Sequence, residues 1–244
     1  MTKAIDLEAR LFMIAQMIPV CEVLCDIGTD HAYIPLYAAQ MDLCKKIIAT
    51  DIREGPLRIA KNNIEEHGLS HMIELRLGDG LDCIQDHEVD TVLICGMGGL
   101  TITEMLEKNK RKVDICNRLI IQCMYADEMV REYCYKNGLD ISEERICCDR
   151  NKLYTAMSII PGGLPKKVHP AFYHASPSLL EQKTDLVLKY LERRIGLLTR
   201  IRSGMKRAKD PDSERTDELK EIINKLKDIK NERKDGKEDY GPLR

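Results

Sequence analysis

The junction Asp26-Ile-Gly-Thr-Asp-His-Ala-Tyr33 limits what this chain can fold into more than any other stretch. A short apolar strand, Glu22 to Asp26, runs into a glycine turn and then into a helical segment. Chains that alternate strands and helices use such junctions to hold ligands at strand ends. The alternation is sustained: Lys46 to Asp51, Ile73 to Leu77, Thr91 to Cys95 and Arg118 to Gln122 read as further strands, and Pro56 to His67 and Thr101 to Lys108 as helices. After a helix over Asp127 to Asn137, Ile141 to Cys147 and Leu153 to Ile160 lack a helix-length segment between them, so an antiparallel hairpin is expected. Ahead of everything, Leu7, Leu11, Ile14, Ala15 and Ile18 recur at helical spacing until Pro19. The expected fold is a Rossmann-like α/β domain with a seven-stranded, mostly parallel sheet and an antiparallel end.

At Pro161-Gly-Gly-Leu-Pro165 the alternation stops, which sets two expected domains, 1–163 and 164–244. Ser178-Leu-Leu-Glu181 has the form of a capping box, and Leu180, Val187, Leu191, Leu198, Ile201 and Met205 follow it at helical steps. Asp210-Pro211 resembles a cap with proline at the first helical position, ahead of a second stripe of Leu219, Ile222, Ile223, Leu226 and Ile229. Two such helices are expected to pair as an antiparallel hairpin with a frayed tail beyond Lys234.

Charge separates the two parts. Residues 166–244 hold 20 Lys and Arg against 14 Asp and Glu, leaving 18 against 26 for residues 1–165, although the whole chain nets only -2. Lys189, Arg193, Arg194, Arg200, Arg202, Lys206 and Arg207 crowd the first of the paired helices, and such cations can hold phosphates without reading sequence. A solvated helix face accounts for them equally well. The ten cysteines include no C-x-x-C pair, so no metal site is expected. The first ten residues carry acids and no apolar targeting segment, and no apolar run nears the roughly 18 residues of a membrane span. A cytoplasmic protein with reduced thiols, monomeric or weakly dimeric, is expected.

The strand ends carry the candidate chemistry. Gly28 lets backbone approach a ligand closely, and the helix start beyond it offers amides that suit a carboxylate. A dinucleotide would need Gly-x-Gly-x-x-Gly, whereas Thr29, Asp30 and His31 stand here, and an aspartate repels a diphosphate. The same acid attracts an ammonium or a sulfonium, as in S-adenosyl-L-methionine. Asp26 and Asp51 each close a strand; Asp51, followed by Ile52, lies 23 positions beyond Gly28, a spacing that suits a carboxylate gripping ribose hydroxyls. Gly78-Asp79-Gly80 ends the third strand where an acceptor can meet an adenine amino group, and Gly96 lies in the glycine-rich exit Ile94-Cys-Gly-Met-Gly-Gly99 of the fourth.

The run Asp26-Ile-Gly-Thr-Asp-His-Ala-Tyr-Ile-Pro35 together with Gly96-Met-Gly-Gly99 resembles the bacterial tRNA (adenine(22)-N1)-methyltransferase family, and Leu7-x-x-Arg10-Leu11-x-x-Ile14-Ala15 is similar to its opening helix. The resemblance implies a class I, S-adenosyl-L-methionine-dependent domain, a C-terminal coiled coil, and tRNA as partner. After the fifth strand the family usually has Gln-Pro-Asn; here Gln122-Cys123-Met124 keeps only the glutamine. On this footing Asp30 is a candidate acceptor for the adenine amino group or the donor ammonium, Tyr33 a candidate stacking wall, Gln122 a third catalytic candidate, and His31 a partner of the donor's methionine end. Two alternatives stay open: a methyltransferase acting on a small molecule or protein, and a non-catalytic RNA-binding adaptor, which predicts a damaged donor site.

Overall fold

The computed structural model describes residues 5–207 and 212–234. The chain divides into two compact units, Met1–Lys166 and Lys167–Arg244. In the first, a seven-stranded sheet runs in the order β3-β2-β1-β4-β5-β7-β6. Its parallel part comprises β1 (Cys21–Ile27), β2 (Cys44–Asp51), β3 (Ile73–Leu77), β4 (Thr91–Gly98) and β5 (Arg118–Tyr125). The edge formed by β6 (Asp140–Asp149) and β7 (Lys152–Ile160) is antiparallel, β7 pairing with both β5 and β6. This is the Rossmann-like architecture that the alternation implied. The order reverses between β1 and β4, which opens a crevice at their carboxyl ends.

Both faces of the central strands are covered, which is why β1, β2, β4 and β5 each carry a continuous apolar run instead of alternating with polar residues, as β3 does at the edge. Ile47 and Ala49 of β2 join one core with residues of α1 (Ala9–Ala15), α2 (Tyr33–Gln40) and α3 (Glu54–Glu66). Ile48 of the same strand joins the other core, with α4 (Gly99–Lys108), α5 (Lys110–Ile115) and α6 (Asp127–Asn137). The short α5 was not foreseen. The β6–β7 hairpin turns on Arg150 and Asn151, at φ 46° and 63°, the left-handed pair that a two-residue hairpin prefers. The fully buried Arg131 of α6 donates to Glu144 at 2.6 Å and to Asp127 at 2.8 Å, clamping α6 against β6.

β4 and β5 run three residues further than their apolar cores suggested. The glycine-rich exit of β4 still pairs with Gln122 to Tyr125, with register shifts around Met97. Gly99 must be glycine: an added Cβ would lie 1.9 Å from the Ala126 carbonyl oxygen. The turns leaving β4 and β5 therefore press backbone against backbone.

The second unit contains α7 (Ala171–His174), α8 (Pro177–Leu180), α9 (Asp185–Lys206) and α10 (Ser213–Lys234). Arg202 Nε donates to the Thr216 carbonyl at 2.9 Å, and Lys230 lies 3.7 Å from Glu192, so α9 and α10 pack antiparallel. Val187, Leu191 and Leu198 are buried on α9, as are Leu219, Ile222, Ile223, Leu226 and Ile229 on α10. The long helix does not begin at the Ser178 capping box. Ser176 is the cap, its hydroxyl accepting from Leu179 N–H at 3.1 Å with Pro177 in the first turn, and Leu180 ends that short helix, with four residues between it and the start of α9. Ile201 is 44% exposed and falls outside the buried stripe, to which Tyr190 and Ile195 belong instead. The expected cap at Asp210-Pro211 and the tail beyond Lys234 lie outside the described residues. No helix of the described residues is long and apolar enough to cross a membrane.

Candidate active site

At the carboxyl ends of β1 to β4, a cavity of about 920 Å³ opens within the first unit, at the upper end of the range usual for small-molecule sites. Asp26, Gly28, Asp30, His31 and Tyr33 line it from the β1 turn, Asp51 and Ile52 from the end of β2, Asp79 and Gly80 beyond β3, and Gly96 from β4. Residues scattered over 70 positions of sequence are gathered at one opening because parallel strands put every strand-to-helix turn at the same edge. Gly28 holds φ +73°, and a Cβ there would come within 2.6 Å of the Met97 methyl group. Asp30 and Ala32, at φ 53° and 58°, are non-glycine residues held in left-handed conformations, a strain typical of functional turns.

Carboxylates outnumber arginines in the lining: Asp6, Glu8, Asp26, Asp30, Asp51 and Asp79 stand against Arg10 and Arg53. Burial pushes the Asp26 carboxyl up to about 7, and the nearby charge of Asp51 adds to the rise. Asp51 is 5% exposed, and its Oδ1 accepts from Arg53 N–H at 3.0 Å. His31 lies 3.5 Å from Asp30 and stacks on Tyr33 at 5.3 Å, so one face of Tyr33 is already covered. Cys95 is a poor nucleophile, since burial and then the Asp26 charge raise its thiol well above the usual value. Among the described residues no group of three or more His, Cys, Asp or Glu could hold a metal ion.

Two expectations change. Gln122 does not line the cavity; its side chain is wholly buried, and its Oε1 accepts from Arg10 Nη1 at 2.9 Å. The β4–β5 pairing places it beneath the cavity, where it touches Arg10, which does line it. The turn amides are also partly committed: Gly28 and Thr29 N–H donate to the Thr50 carbonyl at 2.9 and 2.8 Å, and Ala32 N–H to Thr29 at 2.9 Å. Sequence reasoning missed Arg10 itself, together with Asp6, Met97 and Met105, because an amphipathic helix pattern does not show which polar side chain reaches a distant strand end. The position of Arg10 in the opening-helix motif was the available signal.

In the second unit, the cations of α9 divide. At about 100° per residue, Lys189, Arg193, Arg200 and Arg207 fall within about 40° of one another, opposite the buried stripe. Lys189, Arg200 and Arg207 are exposed. Arg194 instead donates to the Tyr190 hydroxyl at 2.9 Å, and Arg202 holds α10 through Thr216. Lys206, exposed, lies off the common stripe.

The family model described as a methyltransferase domain matches residues 7–157. The tRNA (adenine(22)-N(1))-methyltransferase of Bacillus subtilis is 32% identical over 225 residues, covering 91% of this chain and 94% of that protein. The crystal structure of the B. subtilis M1A22 tRNA methyltransferase TrmK matches with a TM-score of 0.76 at 30% identity, covering 96% of this chain and all of the other. The TrmK of M. capricolum, solved with S-adenosyl-homocysteine, matches with a TM-score of 0.77 at 28% identity, covering 92% of this chain and 98% of the other.

Proposed function

We propose, starting from this chain's membership of the tRNA (adenine(22)-N(1))-methyltransferase family, that it methylates N1 of an adenine in tRNA, at position 22, with S-adenosyl-L-methionine as donor. The observation that carries the reading is the convergence of Gly28, Asp51, Asp79 and Gly96 on one acid-lined cavity. That lining fits a ligand with an ammonium, a cationic sulfur and ribose hydroxyls. Nothing in it matches the damaged donor site that a non-catalytic adaptor would have. When bound, the donor supplies a methyl group on cationic sulfur.

The residues of this chain do the holding. Asp51 accepts the ribose hydroxyls, Asp79 receives the donor's adenine amino group, and Asp26 and Asp30 balance the positive charges. Ile52, 62% exposed at the end of β2, offers an apolar surface to the adenine ring. Adenine N1 carries its own lone pair, so the target base needs no prior deprotonation, and alignment supplies most of the rate. Extruding the base from folded tRNA costs a few kcal/mol. The open face of Tyr33 is suited to stack against it. The stripe Lys189, Arg193, Arg200 and Arg207 holds phosphates, with Arg194, Arg202 and Lys206 contributing charge nearby. The protein acts in the cytoplasm as a monomer or weak dimer, in keeping with ten unpaired cysteines.

Incubation with unmodified tRNA and isotopically labelled donor, followed by nucleoside mass spectrometry and reverse-transcription mapping, tests this directly. N1-methyladenosine at position 22 is expected. Label on another base, or on protein alone, would refute the substrate assignment.

A further inference from the structure

The cysteines are all unpaired, yet two of them already face each other. Cys21 Sγ and Cys44 Sγ lie 3.2 Å apart, and among the described residues no other two sulfurs come within hydrogen-bond range. The contact follows from the sheet. Cys21 opens β1 and Cys44 opens β2, and the two are register partners in a parallel pair. Strands paired in this way run about 4.8 Å apart, inside the roughly 4.4–6.8 Å that a disulfide spans between Cα atoms. The sulfurs need approach by only about 1 Å to reach bonding distance, which side-chain rotation can supply.

The two thiols are not equivalent. Both line a cavity of about 630 Å³ at the amino ends of β1 and β2, together with Pro19, Asp90 and Arg118, but Cys44 is 4% exposed and Cys21 only half-buried. The hydrogen bond from Cys44 pulls the Cys21 thiol below its ordinary value, against burial and the charges of Asp90 and Glu22. The same bond, with burial, keeps the proton on Cys44. An accessible sulfur with thiolate character thus stands in front of a protonated, covered one, which is the order of an attacking and a resolving thiol. Neither belongs to the active site, which gathers at the opposite, carboxyl ends of the same strands.

We propose that Cys21 and Cys44 form a reversible disulfide that staples β1 to β2, with a low-molecular-weight disulfide as the oxidant. The Cys21 thiolate attacks one sulfur of the oxidant, forming a mixed disulfide and expelling the first small thiolate. Cys44 gives its proton to solvent and attacks the Cys21 sulfur, expelling the second. Two protein thiols are oxidised and one small disulfide is reduced to two thiols, and an excess of small thiol reverses both steps. The bond closes the segment 21–44, which holds β1, the glycine turn and α2. It therefore restricts the unfolded chain without occupying the donor cavity.

Treatment of the reduced, full-length protein with oxidised glutathione, followed by intact-mass measurement and non-reducing peptide mapping, tests the site. A peptide cross-linked between Cys21 and Cys44, with loss of two hydrogens, is expected, and dithiothreitol should reverse it. Cys44→Ser should stop at glutathione carried on Cys21, and Cys21→Ser should leave Cys44 unmodified. The oxidised protein should melt about 5 °C above the reduced one. Wild-type protein that forms no cross-link between these two residues, or glutathione found on Cys44 in Cys21→Ser, overturns the assignment, and the wild-type mapping decides even where a variant fails to fold. A cross-linked protein that melts no higher than the reduced one overturns the staple.

Discussion

In the first unit two of the cavity carboxylates, Asp26 and Asp51, are withdrawn from water, each 5% exposed, whereas the cations Lys189 and Arg200 of α9 and Arg207 just beyond it turn outward into solvent. The difference is one of dielectric. A charge removed from water acts strongly on one partner at short range, while exposed charges are screened over about 8 Å at physiological salt and act only in aggregate. Recognition of a small cationic nucleoside should therefore hinge on single residues and tolerate salt. Recognition of a polyanion should be spread over several residues and weaken with salt.

The largest effect is expected at Asp51. Asp51→Asn keeps the shape but loses the charge that strengthens hydrogen bonds to the ribose, worth about 2–3 kcal/mol. Donor affinity by calorimetry should fall about 30- to 100-fold, with tRNA affinity unchanged. Loss of both would break the division of labour. Next, Lys189→Gln, Arg200→Gln and Arg207→Gln combined should lower tRNA affinity about tenfold near physiological salt and reduce the salt slope by about 2–3. A filter-binding series across salt concentrations reads both, and donor affinity should not move.

A smaller effect concerns pH. The Asp26 carboxyl, at about 7 in the folded protein against an ordinary 3.8, is only partly ionised near neutrality. A cationic donor favours the ionised form, so wild-type affinity should rise about three- to fivefold more than that of Asp26→Asn between about pH 6 and 8. Stability runs the other way. The unfolded chain releases this proton first, so the group subtracts stability as pH climbs from about 4 to about 7 and stays costly above. Asp26→Asn should accordingly melt higher than wild type at about pH 8, in the absence of donor, by about 1–3 kcal/mol of stability. Equal melting and parallel affinity curves would show that Asp26 is not the titrating group.

The strands and the glycine turns were legible because their signals are local. Ile47-Ile-Ala49 and Leu119-Ile-Ile121 are apolar on both faces, and Gly28 sits where its positive φ is needed. Gln122 was not legible. Whether its amide reaches the cavity depends on the register shifts between β4 and β5 and on Arg10, 112 positions away. The start of α9 was obscured because Ser176-Pro177 and Ser178-x-x-Glu181 both carry capping signals, and the prolyl first turn won. On α9, the count of cations was visible but their roles were not, since Arg194 and Arg202 are drawn into internal bonds by Tyr190 and Thr216.

The most direct test is a crystal structure of this protein soaked with S-adenosyl-L-homocysteine. It should show the nucleoside across the ends of β1 and β2, both ribose hydroxyls within hydrogen-bond distance of the Asp51 carboxylate. A nucleoside bound elsewhere, or a ribose turned away from Asp51, would contradict the account.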